Sequence, residues 1–166
     1  GCVATSMAQI LKYWNFPTTG IGSYSYSHPV YGNLSADFGS TTYKWSQMPD
    51  NVTTQNDAVA TLMFHCGVSV NMNYSPTSSS ADLNKNALIN FFNYSPNIQY
   101  INKRDYSLSE WNNMLKAELN LLRPVWYSGY DTVNHVGHAF ICDGYQNNDY
   151  FHFNWGWGGA ADGYFY

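Results

Sequence analysis

Helical hydrophobic patterns fill the first part of this chain of 166 residues, and strand patterns fill its last third. Apolar residues recur at helical spacing from Cys2 to about Trp14, and Pro17 then stops the pattern. Beyond Pro124 the pattern of residues is typical of β-strands. Because helices and strands are segregated along the chain rather than alternating, the sequence predicts an α+β fold.

Further elements follow from the same patterns. Three more helices are predicted, at residues 56–66, 82–92 and 108–119. The last of them opens with Ser107-Leu108-Ser109-Glu110, which matches a capping box. Residues 18–50 are rich in Gly, Ser, Thr, Tyr and Pro and are predicted to be irregular. Strands are predicted at residues 68–72, 125–130, 138–144, 150–154 and 163–166.

The composition excludes several classes of protein. Hydrophobic residues make up 45% of the chain and charged residues 11%, which argues against disorder. A formal net charge of −4 gives no basic surface for nucleic acid, so no nucleic-acid partner is expected. No apolar run approaches the roughly 20 residues that a membrane helix needs, so no membrane span is expected. Aromatic residues reach 18%, a content that suits a rigid extracellular protein and also one that stacks sugars or peptides.

The three cysteines are widely spaced and form no Cys-x-x-Cys pair, so neither a zinc site nor a redox dithiol is indicated. No metal and no organic cofactor is predicted. Cys66 and Cys142 lie in apolar contexts and are expected to be buried and inert. Cys2 instead precedes the apolar stripe of the first helix, where the positive end of the helix dipole favours a thiolate. The alternative is a buried core cysteine, and the position favours a catalytic one.

The order of three residues points to nucleophilic catalysis. Cys2 comes first, His138 follows within the roughly 130–150 residues typical of papain-type cysteine peptidases, and Asn154 lies beyond it. In such enzymes an imidazole ionises the thiol, and a third group holds that imidazole in one orientation. Asn154 could supply this third group, and Trp155 could shield the contact from water.

Each of these residues also has a plainer interpretation. His138 opens an apolar strand and could be a hydrogen-bonded structural histidine. Asn154 could simply make a turn, with Trp155 and Trp157 as core aromatics, and the run from Asn154 to Gly159 could equally be a sugar-stacking loop. His28, His135 and His152 are interpreted as loop, surface or strand residues without a functional role.

Beyond these spacings, the chain resembles the streptopain family, peptidase family C10, of secreted bacterial cysteine peptidases. The segment GCVAT at residues 1–5, continuing through AQI at 8–10, resembles the nucleophile segment of that family. GHAF at 137–140 and NWGWGG at 154–159, followed by Asp162-Gly163, resemble its histidine strand and its Asn-Trp-Gly loop. Weaker similarity runs between these segments, so the resemblance spans essentially the whole chain.

The resemblance implies a papain-like two-lobed fold and a secreted endopeptidase made as a zymogen with a propeptide. Residues 1–166 would form a single catalytic domain, with a helical and loop lobe to about residue 122 and a β lobe from about 123 to 166. Cys2 would be the nucleophile and His138 the base, while Asn154 or Trp155 would orient the histidine. Ser80 and Gly137 match positions that line the substrate cleft of the family.

The resemblance also has limits. The glutamine that completes the family's oxyanion hole lies before the cysteine, and a further C-terminal stretch follows Asp162-Gly163 in the family, so the chain is interpreted as a domain truncated at both ends. Its expected partners are protein or peptide substrates. The alternatives are an acyltransferase using the same Cys–His pair, an aromatic-rich carbohydrate-binding module, and a catalytically inactive fragment.

Overall fold

The computed structural model describes residues 1–147 and 149–166, which form two compact units, 1–98 and 99–166. The first unit contains helices α1 (Cys2–Trp14), α2 (Asp57–Ser69) and α3 (Lys85–Phe92) and the strands β1 (Ser23–His28) and β2 (Gly32–Asp37). The second contains helix α4 (Leu108–Asn120) and the strands β3 (Val125–Asp131), β4 (Val136–Gln146), β5 (Tyr150–Asn154) and β6 (Gly163–Phe165). The α+β class predicted from the sequence is confirmed.

In the first unit, α1 buries one face against α2, and α2 also packs against β1 and β2. The buried side chains of α1 are Val3, Ala4, Ser6, Met7, Ala8, Ile10 and Leu11. The helix ends where Asn15 adopts a left-handed conformation, two residues before Pro17, as the sequence predicted. A long apolar stripe therefore fixes α1, and with it the residue at its first position.

Several local predictions in the first unit are wrong. Residues 68–72 do not form a strand, because α2 continues through Ser69 and buries Val68 completely. Within the segment 18–50, predicted to be irregular, β1 and β2 form an antiparallel hairpin with Ser25 opposite Ser35. His28, which was interpreted as a loop residue, ends β1 and is buried.

The third helix is shorter than predicted. It begins at Lys85 rather than at residue 82, because Asn84 acts as its N-cap and accepts a hydrogen bond from the main-chain N–H of Asn86. The predicted capping box of α4 is confirmed: Ser107 accepts from the N–H of Glu110, and the Glu110 carboxylate accepts from the N–H of Ser107.

In the second unit, β3 to β6 form one antiparallel sheet in chain order. Helix α4 packs against β3 and β4, and the core between helix and sheet consists of Trp111, Leu115, Leu119, Cys142 and Phe151. The second unit, residues 99–166, thus contains α4 together with the sheet on which it packs. The strands of the sheet carry His138 on β4 and Asn154 at the end of β5.

Candidate active site

Cys2 is the first residue of α1, and its free thiol is half-buried. The first N–H groups of a helix have no partner within the helix, so unpaired donors and the positive end of the dipole lie at this end of α1. The Ser6 hydroxyl donates to the carbonyl of Cys2 at 2.8 Å, which holds the first turn in place. Helix α1 therefore presents one accessible thiol at its N-terminus.

The other two cysteines are unreactive by position. Cys66 on α2 and Cys142 on β4 are both fully buried, as the sequence predicted. Burial raises the pKa of the Cys142 thiol to about 12 and raises that of Cys66 further still. Both groups stay protonated at neutral pH, so Cys2 is the one thiol of the chain placed to act as a nucleophile.

His138 is held by a main-chain carbonyl. Its Nε2 atom lies 2.8 Å from the main-chain oxygen of Trp155. A carbonyl oxygen can only accept, so Nε2 carries the hydrogen and the Nδ1 lone pair of the neutral ring is the one that can take a proton. The rings of Trp157 and Phe140 lie 4.9 and 5.9 Å from the imidazole, between centroids, and restrict its rotation. The arrangement is that of an oriented general base.

The side chain of Asn154 contacts the turn that follows it. Its Oδ1 atom accepts a hydrogen bond from the N–H of Gly156 at 2.9 Å, and the oxygen that accepts from His138 belongs to the main chain of Trp155. Gly156 has φ of 74°, a left-handed conformation that glycine adopts without strain. The turn after β5 thus places the Trp155 carbonyl against the imidazole, and the Asn154 amide oxygen accepts from the N–H of the same peptide group.

Trp155 is also held by hydrogen bonds to residues at the C-terminal end of the same turn. Its main-chain N–H donates to Oδ1 of Asp162 at 2.9 Å, and its indole Nε1–H donates to the carbonyl of Ala161 at 3.0 Å. Asp162 was not among the residues predicted from the sequence to have a role at the site. A signal was present, since an Asp beside a glycine-rich turn commonly accepts hydrogen bonds from nearby main-chain N–H groups.

The two predicted cleft residues are both exposed. Ser80 forms an isolated β-bridge with Asn73, with N–O distances of 3.1 and 2.8 Å in the two directions. Gly137 precedes His138 on β4 and pairs with Tyr130. A Cβ at Gly137 would meet Tyr130 at 3.7 Å, an ordinary contact, so packing alone does not require glycine there.

The predicted site residues divide between the two units. Cys2 and Ser80 belong to the first, and the second brings together Gly137, His138, Asn154 and Trp155. His152 lies on β5, half-buried, and pairs with Asp143 at 2.5 Å, away from the His138 contact. Within residues 1–147 and 149–166, no group of three or more His, Cys, Asp or Glu side chains is placed to hold a metal ion. None of the helices described is long and apolar enough to cross a bilayer.

Comparison with known proteins gives consistent matches over the whole chain. The family model described as the peptidase C10 family matches residues 1–165. Streptopain of Streptococcus pyogenes is 37% identical over 181 residues, covering 99% of this chain and 44% of streptopain. The thiol protease/hemagglutinin PrtT of Porphyromonas gingivalis is 39% identical over 176 residues, covering 100% of this chain and 20% of PrtT. The chain therefore spans less than half the length of these curated relatives.

The fold is also shared with solved structures. Active wild-type interpain A, a cysteine protease of Prevotella intermedia, superposes with a TM-score of 0.91 at 38% identity, over 99% of this chain and 73% of that one. A prointerpain A fragment of the same organism gives 0.89 at 38% identity, over 100% of this chain and 55% of that one. The papain-like fold and the resemblance to the streptopain family, both expected from the sequence, are confirmed.

Proposed function

The chain belongs to the peptidase C10 family, and on that premise we propose that it forms the catalytic part of a secreted cysteine endopeptidase. Cys2 is the nucleophile and His138 is its acid–base partner. The observation that carries the proposal is the contrast among the thiols: Cys2 is accessible at the start of a helix, whereas Cys66 and Cys142 are fully buried.

The reaction proceeds by acyl transfer. The Cys2 thiolate attacks the peptide carbonyl carbon, and the main-chain N–H of Cys2 donates to the oxyanion that forms. Protonated His138 gives its Nδ1 proton to the leaving amine, and the C–N bond breaks to leave a thioester on Cys2. Water then attacks the thioester with His138 as base, which releases the acid and restores the thiol–imidazole pair. The contact from Nε2 to Trp155 supports this role, since it leaves Nδ1 for the proton transfers.

Ser80 and Gly137 are proposed to line the substrate cleft, and protein or peptide chains are the proposed substrates. Both residues are exposed, as a cleft position requires. A propeptide in the precursor is part of the proposal and is supported by the similarity to a prointerpain A fragment. Trp155 orients His138 through its carbonyl, and Asn154 supports that carbonyl through the Gly156 N–H.

The test is mass-spectrometric mapping of alkylation on the folded chain from about pH 5 to pH 9, since an unactivated thiol reacts appreciably only near its reference pKa of about 8.5. We expect Cys2 alone to label rapidly at pH 5–6 and to lose this advantage in His138→Ala. His135→Ala, which removes an exposed loop histidine, is the matched control. Labelling of Cys2 no faster than Cys66 and Cys142 would overturn the proposal.

A second measurement separates the reaction types that share this chemistry. Incubation with a denatured protein substrate should generate new peptide termini, and Cys2→Ala should abolish them. An acyltransferase would instead leave cross-linked or acylated products in the presence of amines. A carbohydrate-binding module would bind polysaccharide equally well with and without Cys2.

A further inference from the structure

The peptide group between Trp155 and Gly156 forms hydrogen bonds through both its carbonyl oxygen and its N–H. Its carbonyl oxygen accepts from Nε2 of His138 at 2.8 Å, and its N–H donates to Oδ1 of Asn154 at 2.9 Å. Because a peptide unit is planar, the two hydrogen bonds share one orientation. A rotation of this plane that broke one of them would also misalign the other.

The preceding peptide group forms a hydrogen bond with the side chain of Asp162. Its N–H, on Trp155, donates to Oδ1 of Asp162 at 2.9 Å, and Asp162 is half-buried. The bond is charge-assisted when the carboxylate is ionised, and such bonds are roughly twice as strong as neutral ones. The Trp155 main chain is therefore fixed on one side by Asp162 and on the other by Asn154.

Besides these contacts and the hydrogen bond from the Trp155 indole to the Ala161 carbonyl, few bonds constrain the turn that joins these groups. Three of its glycines and Ala161 have positive φ, with values of 74° at Gly156, 66° at Gly158, 87° at Gly159 and 63° at Ala161. The main-chain hydrogen bonds within it are few and long, at 3.3 Å from Ala160 to Trp157 and 3.4 Å from Asp162 to Gly159. A turn of this kind has many accessible conformations, so side-chain contacts must select the one that aims the Trp155 carbonyl at His138.

We propose that Asp162 is a positioning residue for the catalytic histidine, acting through the main chain of Trp155; this rests on the proposed function. The carboxylate fixes the Trp155 N–H, the fixed residue directs its carbonyl at Nε2, and the carbonyl holds His138 in the tautomer that keeps Nδ1 free for proton transfer. The same carbonyl dipole faces the imidazolium that forms during catalysis, and a dipole already in place needs no reorganisation at that step.

The test compares three variants of the full chain. Asp162→Ala removes the acceptor, Asp162→Asn keeps an oxygen at the same position, and Asp143→Ala removes another half-exposed carboxylate of the same sheet that pairs with His152. On a peptide substrate we expect Asp162→Ala to lower kcat about 10- to 100-fold with little change in KM, as for a misplaced catalytic group. Asp162→Asn should recover most of this loss, and Asp143→Ala should leave kcat unchanged.

Two readouts separate positioning from a purely structural role. In Asp162→Ala the alkaline limb of the kcat/KM profile should move to lower pH, because the imidazolium has lost a fixed acceptor. In chains labelled with ¹⁵N-histidine, the His138 signals, assigned with His138→Gln, should report the Nε2–H tautomer in the parent protein and in Asp162→Asn, and a mixture of tautomers in Asp162→Ala. An unchanged tautomer and an unchanged profile in a folded Asp162→Ala would overturn the inference.

The nuclear magnetic resonance measurement needs no activity, so it decides the role of Asp162 even if the parent chain cleaves no peptide. Absence of cleavage with a pure Nε2–H tautomer would count against the proposed function alone. If Asp162→Ala does not fold, Asp162→Ser, whose side chain is too short to reach the Trp155 N–H, takes its place. Failure of both variants to fold would show that the contact is structural and would also overturn the inference.

Discussion

The hydroxyl group of Tyr74 occupies the space that a Cβ atom on Gly67 would fill. Gly67 lies in α2, and Tyr74 belongs to the segment between Asn73 and Ser80, whose ends form the isolated bridge of the first unit. The helix and this segment thus meet at a point where only a hydrogen atom fits. The contact ties the predicted cleft residue Ser80 to the helical core.

Gly67→Ala should therefore destabilise the protein, although alanine favours helices by roughly 1 kcal/mol relative to glycine. The new Cβ would overlap the Tyr74 ring and force it out, at a cost of about 1–3 kcal/mol, as for an overpacked core. Urea unfolding of the single variants and of Gly67→Ala with Tyr74→Ala measures this. The cost of Gly67→Ala should largely disappear in the Tyr74→Ala background; an equal cost in both backgrounds would contradict the steric explanation.

Gly1→Ala should disturb the nucleophile without unfolding the chain. A Cβ at this position would lie 2.7 Å from Sδ of Met72, which is fully buried, and 3.0 Å from Cβ of Ser79, an atom that moves only with its main chain. The start of α1 must then shift, and we expect the alkylation rate of Cys2 at pH 6 to fall about tenfold, as for a displaced catalytic group.

The control for this prediction is Gly144→Ala, whose Cβ would meet only Cβ of His152, at the ordinary distance of 3.5 Å. It should leave the Cys2 rate unchanged. A Gly1→Ala variant that labels as fast as the parent would show that the first turn tolerates the side chain.

Asn154→Ala should reduce peptidase activity less than Cys2→Ala does, because the Asn154 side chain accepts from the Gly156 N–H, in the same peptide group as the Trp155 carbonyl that contacts the imidazole. We expect kcat to fall about tenfold, the low end for loss of one supporting group in a general-base system. Asn154→Asp keeps an oxygen that can accept from Gly156 and should restore most of the activity. A complete loss in Asn154→Ala, equal to that of Cys2→Ala, would point to a direct role for the amide.

Stability should fall as the pH is lowered below about 6.5, the reference value for histidine. Burial is the main cause that lowers the pKa of His65, opposed by the charge of Asp37, and its Nδ1 lies 2.9 Å from the Tyr43 hydroxyl. With a folded-state pKa below the unfolded one, the unfolded chain binds more protons between the two values. The contribution of His65 is therefore fully present above about pH 6.5 and is lost as the pH falls toward the lowered pKa.

Urea unfolding at pH 7.5 and pH 5 measures this effect. His65→Gln should show a smaller loss of unfolding free energy between the two pH values than the parent protein. His135→Gln, at an exposed turn, should behave like the parent. An identical pH dependence in His65→Gln and the parent would remove His65 as its source.

The elements that the sequence predicted well are those whose information is local. Helix α1 begins at Cys2 and ends at Trp14 as expected, because its apolar stripe and the nearby proline lie within a few turns of each other. The capping box of α4 needs only Ser107 and Glu110, three residues apart. In both cases neighbours in the chain supply the stabilising contacts, so periodicity and capping residues suffice.

The elements that were missed depend on distant partners. The alternation of Val68, Val70 and Met72 suggested a strand, but α2 extends through Ser69 and buries Val68. The hairpin of β1 and β2 has a weak local signal, since serine fills alternate positions of β1, and it depends on pairing between residues such as Ser25 and Ser35. Pairing across a hairpin and burial against another helix leave little trace in composition.

The sequence by itself determined the chemistry of this protein: a cysteine opening an amphipathic helix, a histidine far downstream at the mouth of a strand, and an Asn-Trp-Gly turn after it. The tertiary structure decided how the histidine is held. Nε2 donates to the main-chain carbonyl of Trp155, whose own N–H donates to Asp162 and which is followed by the left-handed Gly156. Residue types limit which reactions are possible, but the direction of a main-chain carbonyl depends on dihedral angles that only the folded turn selects.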